Sequence, residues 1–130
     1  MWPFLLSAIN CGLDWVNEMK FSESLKSNKD FQLVYKSGKS YANKHLVMYI
    51  LENSTKENRI GISVSKKVGN SIVRHRLTRL VRESYRLNEE KFQSGLDIVV
   101  VVRVAAKDKK YSEIESSLLH VGKLHNIVKR

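Results

Sequence analysis

Residues 97–104 read DIVVVVRV, a run of β-branched residues with no polar position from Ile98 to Val102. A strand with one wet face alternates polar and apolar residues, whereas a continuous apolar run is typical of a strand buried on both faces. A chain containing such a run has to build a sheet around it. The rest of the composition permits this. The chain has 130 residues, of which 42% are hydrophobic, enough for one domain with a core and too many for a disordered basic tail.

The remaining elements follow from local patterns. Ser27-Asn28 supplies an N-cap before a short amphipathic helix over 29–36, with Phe31, Val34 and Tyr35 on one face and Gly38 as a C′-type stop. Residues 45–51 (HLVMYIL) are dense in strand formers, 53–58 (NSTKEN) form a polar turn, and 59–64 alternate Ile60, Ile62 and Val64 with Gly61 and Ser63. Together these suggest an antiparallel hairpin. Gly69-Asn70-Ser71 is a loop and cap, followed by a helix to about Leu87. Residues 107–110 form a charged loop, and Ser112 caps a last helix carrying Ile114, Leu118, Val121 and Leu124 or His125. The expected fold is α+β, a two-layer sandwich with helices over a mixed four-stranded sheet. Its order is α-β-β-(β)-α-β-α, the bracketed strand standing for an extra short one near Ser40 and Tyr41.

The charge is uneven. The chain has 23 Lys and Arg, 13 Asp and Glu, and a net charge of +10. Residues 1–18 contain Asp14 and Glu18 but no Lys or Arg, so the other 112 residues carry a net +12. The chain is therefore read as a leader over 1–18, either disordered or a start assigned too far upstream (Met19-Lys20 being an alternative), and a domain over 19–130. The sharper alternative for 1–18 is a small amphipathic helix packed on the domain or on a partner. No stretch approaches the ~20 apolar residues of a membrane span, and 2–16 lacks the basic start of a secretory signal. A single cysteine, Cys11, excludes an internal disulfide and any zinc site needing two thiolates. His120 and His125 are five apart, off the i, i+4 spacing of a helical ligand pair, and read as ordinary surface or rim residues. No nucleophile–base constellation is visible. The charge makes a polyanionic partner the leading reading.

Residues 65–86, SKKVGNSIVRHRLTRLVRESYR, sharpen this. On a helix, Ile72, Val73, Leu77, Leu80, Val81 and Leu87 fall in one arc with Tyr85 at its edge. His75, Arg79, Arg82 and Arg86 gather on the opposite side, and Arg74 and Arg76 flank the arc. Guanidiniums bind phosphate as planar forks and stay charged, and only Glu83 lies among them as a counter-charge. Lys66 and Lys67 precede the helix, and Gly69-Asn70 let backbone amides approach a phosphate at its N-terminus. A solvated basic face is the plain alternative.

The run K-K-x-G-N-S-I-x-R-x-R-x-x-R-x-x-R-E at residues 66–83 resembles the arginine-rich signature of the bacterial ribonuclease P protein component. The likeness extends to NKDF at 28–31, VYKSGKS at 34–40, Ala42-Asn43, residues 46–49, IGISVSKK at 60–67, residues 97–107 and Ser116-Ser117-Leu118, so that it covers roughly residues 19–124.

The resemblance implies a ribosomal S5 domain 2-like fold with a left-handed βαβ crossover. It also implies a protein subunit with no catalytic residues of its own, in the cytoplasm. Its partners would be a catalytic RNA that does Mg2+-dependent chemistry and the 5′ leader of precursor tRNA, whose removal forms the mature 5′ end. No membrane and no protein partner is implied, and direct metal ligands on the protein are unknown. Lys66, Lys67, Gly69, Asn70, Arg74, Arg76, Arg79 and Arg82 match the surface for the catalytic RNA, and the helix pattern adds Arg86. Phe31, Tyr35, Val47 and Tyr49 match a cleft for the leader. Pattern alone makes Phe31 and Tyr35 a core face, and it does not choose whether Val47 and Tyr49 or Leu46 and Met48 face the groove. The alternative function is a structural ribosomal or rRNA-binding protein without a leader cleft.

Overall fold

The computed structural model describes residues 22–25 and 27–128; the expected leader, 1–18, lies outside them. The run at 97–104 forms strand β5 (Leu96–Val102), flanked on both sides in a five-stranded sheet. The other strands are β1 (Ser22–Ser24), β2 (Lys39–Ala42), β3 (Leu46–Glu52) and β4 (Asn58–Val64), in the spatial order β1-β4-β5-β3-β2. β5 runs parallel to β4 and antiparallel to β3. The helices are α1 (Asn28–Ser37), α2 (Ser71–Leu87) and α3 (Tyr111–Leu124). The class is α+β with a mixed sheet, as expected.

Three expectations change. First, β3 and β4 do not form a hairpin, because β5 is inserted between them. Five of the six residues after Leu96, including Ile98, Val99 and Val100, are buried, and only the centre of a sheet covers such a strand on both edges and both faces. The hairpin that does form joins β2 to β3, with Ala42 opposite Val47. Second, the sheet has five strands, β1 being an added edge strand parallel to β4. Third, the helices are not on one side. Ile98, Val100 and Val102 face a core shared with Leu77, Val81 and Tyr85 of α2 and Ile114, Leu118 and Val121 of α3. The alternate residues Val99 and Val101 face Val34, Phe31 and Tyr35 of α1. The two-layer expectation thus gives way to helices on both faces, as the two-sided burial of β5 requires.

Local signals explain the helix ends. Ser27 Oγ accepts from Lys29 N at 3.1 Å and caps α1. Gly38 follows, but with φ of −84°, so it is not a left-handed stop. A Cβ there would sit 2.6 Å from the Val34 carbonyl oxygen and 2.8 Å from that of Ile50; the glycine is required by close approach to β3. α3 begins before the expected cap Ser112: Lys110 holds the N-cap position, and Glu113 reaches back to accept from Lys110 N at 3.2 Å.

Buried polar groups tie the layers together. Asp97, 2% exposed, accepts from Arg59 Nε and Nη2 at 2.9 and 2.6 Å and from Asn53 Nδ2 at 2.9 Å. Arg59 also pairs with Asp30 of α1 at 3.4 Å, which fixes α1 over the sheet. Asn58 accepts from Leu96 N and donates to Gln93 O and Tyr85 Oη, so its amide is fully used.

Candidate nucleic-acid interface

The first surface is built on α2 and the loop before it. Asn70 Oδ1 accepts from Val73 N at 3.0 Å, the expected N-cap. Gly69 lies against the first turn, where a Cβ would be 2.8 Å from Val73 Cγ1. No acid occupies that turn, so its amides and the helix dipole meet no negative side chain there. Lys66 and Lys67 are exposed beside it.

The buried stripe of α2 is rotated from the expected arc. Ile72 and Leu87 are 77% and 57% exposed, while Tyr85 is buried. Tyr85 is drawn in because its hydroxyl has partners, Ser22 Oγ at 2.8 Å and Asn58 Nδ2 at 3.1 Å. An apolar ring with a satisfied polar tip outcompetes Leu87 for the interior.

That rotation separates the arginines. Arg79 and His75 are exposed, and neither has a hydrogen bond or ion pair among the described residues. Arg82 is half-buried and donates to Ser24 Oγ of β1 at 2.7 Å; burial lowers its pKa from the ordinary value, though a guanidinium stays charged at neutral pH. Arg86 chelates Glu83 at 2.9 and 2.7 Å, and these bonds hold its pKa above the usual value. Arg76 is exposed, and donates to the carbonyl oxygens of Lys107 and Lys109 at 3.3 and 2.8 Å. Arg74 is half-buried, and its Nε is buried without a partner among the described residues. The expected row His75, Arg79, Arg82, Arg86 is therefore divided: two members have no side-chain partner among the described residues and two are engaged within the fold.

The second surface lies between α1 and the sheet. Tyr35 stands edge-on to Tyr49 with ring centroids 5.0 Å apart, and Phe31 is 6.3 Å from Tyr35. Gly61 makes room for Phe31, since a Cβ there would be 2.5 Å from Cζ of the ring. Leu46 and Met48 are buried on the far face, so Val47 and Tyr49 are the pair that faces α1. Phe31, Tyr35, Val47 and Tyr49 are all half-buried. The register completes the surface with residues that sequence reading did not name. Ala42, Val47, Val101 and Ser63 form one row across four strands, and Ser40, Tyr49, Val99 and Gly61 form the next. α1 packs over Val99 in the second row, while the first row is only partly covered and adjoins the loop bearing Lys66 and Lys67. Alternation along β5 was the one available signal for Val101; Ala42 and Ser63 needed the strand pairing.

His120 and His125 have structural partners. His125 Nε2 donates to Met48 O at 2.7 Å, with its ring edge-on to Tyr41, and Asn43 Nδ2 donates to His120 Nδ1 at 3.2 Å. Among the described residues no group of three or more His, Cys, Asp or Glu is placed to hold a metal ion, and no helix is long and apolar enough to cross a membrane.

Residues 19–125 match the family model described as Ribonuclease P. The ribonuclease P protein component of Lachnoclostridium phytofermentans is 63% identical over 107 residues, which is 82% of this chain and 92% of that one. The chain belongs to the ribonuclease P protein family. The fold agrees with solved members of that family. The RNase P protein of Staphylococcus aureus superposes with a TM-score of 0.77 at 38% identity, covering 83% of this chain and 99% of that one. The RNase P protein from Thermotoga maritima gives 0.73 at 33% identity, covering 78% and 96%.

Proposed function

We propose that the two surfaces divide the work of a ribonuclease P protein subunit. The chain is the protein component of a ribonucleoprotein endoribonuclease that acts in tRNA 5′ processing, and family membership decides against the ribosomal-protein alternative. On our reading α2 and its loop hold the catalytic RNA through Lys66, Lys67, the Gly69-Asn70 turn and the arginines, with Arg79 the direct phosphate contact. The groove of Phe31, Tyr35, Val47 and Tyr49 holds the single-stranded 5′ leader of the precursor. Stacking on aromatic rings suits a leader, because it is worth about 1–3 kcal/mol per base and tolerates any sequence.

One observation carries this reading: the open row Ala42, Val47, Val101, Ser63 runs from the aromatic groove to the basic loop. A strand lying in the groove is thereby led to the face that holds the RNA. We assign the metal-dependent chemistry to the RNA, with Mg2+ as its ion, on the strength of the family membership. We place the protein in the cytoplasm, where its RNA partners are. The family match beginning at residue 19 supports reading 19–130 as the RNA-binding unit.

The test is precursor-tRNA cleavage with the catalytic RNA at limiting Mg2+. The protein alone should be inactive and should stimulate the RNA. Phe31→Ala with Tyr35→Ala should weaken precursor binding by about 2 kcal/mol or more while leaving mature tRNA binding nearly unchanged. Equal loss for both ligands would refute the groove assignment.

A further inference from the structure

Arg76 lies in the arginine-rich segment, yet its guanidinium is occupied within the protein. Nη1 donates to the carbonyl of Lys107 at 3.3 Å and Nη2 to that of Lys109 at 2.8 Å. Both acceptors belong to the loop between β5 and α3. That loop is anchored at one end by Ala106, buried in the core, and at the other by the Lys110 N-cap of α3. In this loop Lys107, Asp108 and Lys110 are exposed, and Lys109 pairs with Glu113 at 3.8 Å. Arg103, also exposed, precedes the turn and donates to Asn43 O at 2.9 Å. Three lysines within four residues, opposed by one aspartate, repel one another. A planar fork that grips two carbonyls at once fixes such a loop in a way the single ammonium of a lysine does not.

We infer that Arg76 is a positioning residue and that the 107–110 loop it holds is a second phosphate-binding segment for the catalytic RNA. This rests on the reading of α2 as the face for that RNA. The occupant follows from charge complementarity and from continuity: the hydrogen bonds set the loop beside Arg76 in the N-terminal half of α2, one helical turn before Arg79. The RNA backbone passes from α2 onto Lys107 and Lys110, whose side chains are exposed and make no hydrogen bond or ion pair among the described residues. Arg76 contributes by holding their backbone.

The experiment measures equilibrium binding of the full chain to the catalytic RNA over a salt series. It compares wild type, Arg79→Ala, Arg76→Ala, Arg76→Lys, Lys107→Ala with Lys110→Ala, and that pair combined with Arg76→Ala. Losing two phosphate contacts should weaken binding about threefold to tenfold at moderate salt and make the log–log salt slope shallower by about 1.5 to 2. We expect this change for the lysine pair and for Arg76→Ala. Arg76→Lys should resemble the alanine variant despite its charge, and the combined variant should be no weaker than the lysine pair. Hydrogen exchange of the 107–110 amides should quicken in both Arg76 variants. Additive losses in the combined variant, or full rescue by Arg76→Lys, would show that Arg76 touches the RNA itself and overturn its positioning role. Unchanged binding by the lysine pair would overturn the loop as an RNA surface. If Arg79→Ala also leaves affinity and slope unchanged, the assignment of α2 falls too, so the two failures are told apart.

Discussion

Gly61 shows how much one missing side chain decides. It is buried in β4, and the Phe31 ring occupies the space a Cβ would need. Gly61→Ala should cost about 1–3 kcal/mol through overpacking. It should also push Phe31 out of line with Tyr35 and Tyr49, so that precursor binding falls while affinity for the catalytic RNA holds; urea unfolding and binding to each RNA check this. The histidines carry a second prediction. Burial lowers the pKa of His125 from its ordinary 6.5, and burial with Lys109 and Lys44 does the same for His45. The unfolded chain takes up these protons near 6.5, the folded chain only at lower pH. The stability they lend is therefore complete above 6.5 and is lost as pH falls through the lowered folded values. Urea midpoints should drop between about pH 7 and pH 5, and His125→Gln, which can still donate to Met48 O, should flatten that drop. At this scale the residue types of both surfaces were legible in the sequence, but their employment was not. Nothing local to Arg76 or Arg82 distinguishes them from Arg79; what separates them is a carbonyl or a hydroxyl brought near by the fold, whereas Arg86 has its carboxylate, Glu83, three residues away on the same helix.

Among the elements, β5 organises the rest. It was legible because a run of valines leaves no wet face, and the same run should have ruled out a two-layer arrangement, since helices on one side leave Val99 bare. Ile98→Ala should cost about 2–5 kcal/mol, and Val101→Ala less because that residue is only half-buried; denaturant midpoints decide. α1 and α2 were legible from their caps, Ser27 and Asn70, and from their periodicity. The start of α3 was not, because Ser112 has the better capping side chain, yet the Glu113 carboxylate satisfies the Lys110 amide first. The β3–β4 hairpin failed for a different reason. A turn such as NSTKEN ends one strand and begins another, but whether the two then pair depends on a third strand forty residues away competing for both edges.

For the whole molecule, charge is the dominant condition. With +12 on residues 19–130, the fold resists its own repulsion, because the bases there outnumber the acids 23 to 11. Sulfate should therefore raise the thermal midpoint above that in chloride at equal ionic strength, because a multivalent anion neutralises clustered bases that chloride only screens. Melting curves by circular dichroism give the answer, and equal midpoints would refute it. The sequence by itself determined the class of fold, the central strand, the capped helices and the basic helix, because each is written in the spacing of nearby residues. The tertiary structure alone decided the neighbours of β5, the side of the sheet that α1 takes, the strand face that lines the groove and the arginines that remain free. Those depend on contacts between residues far apart in the chain, and period and propensity report only the local preference.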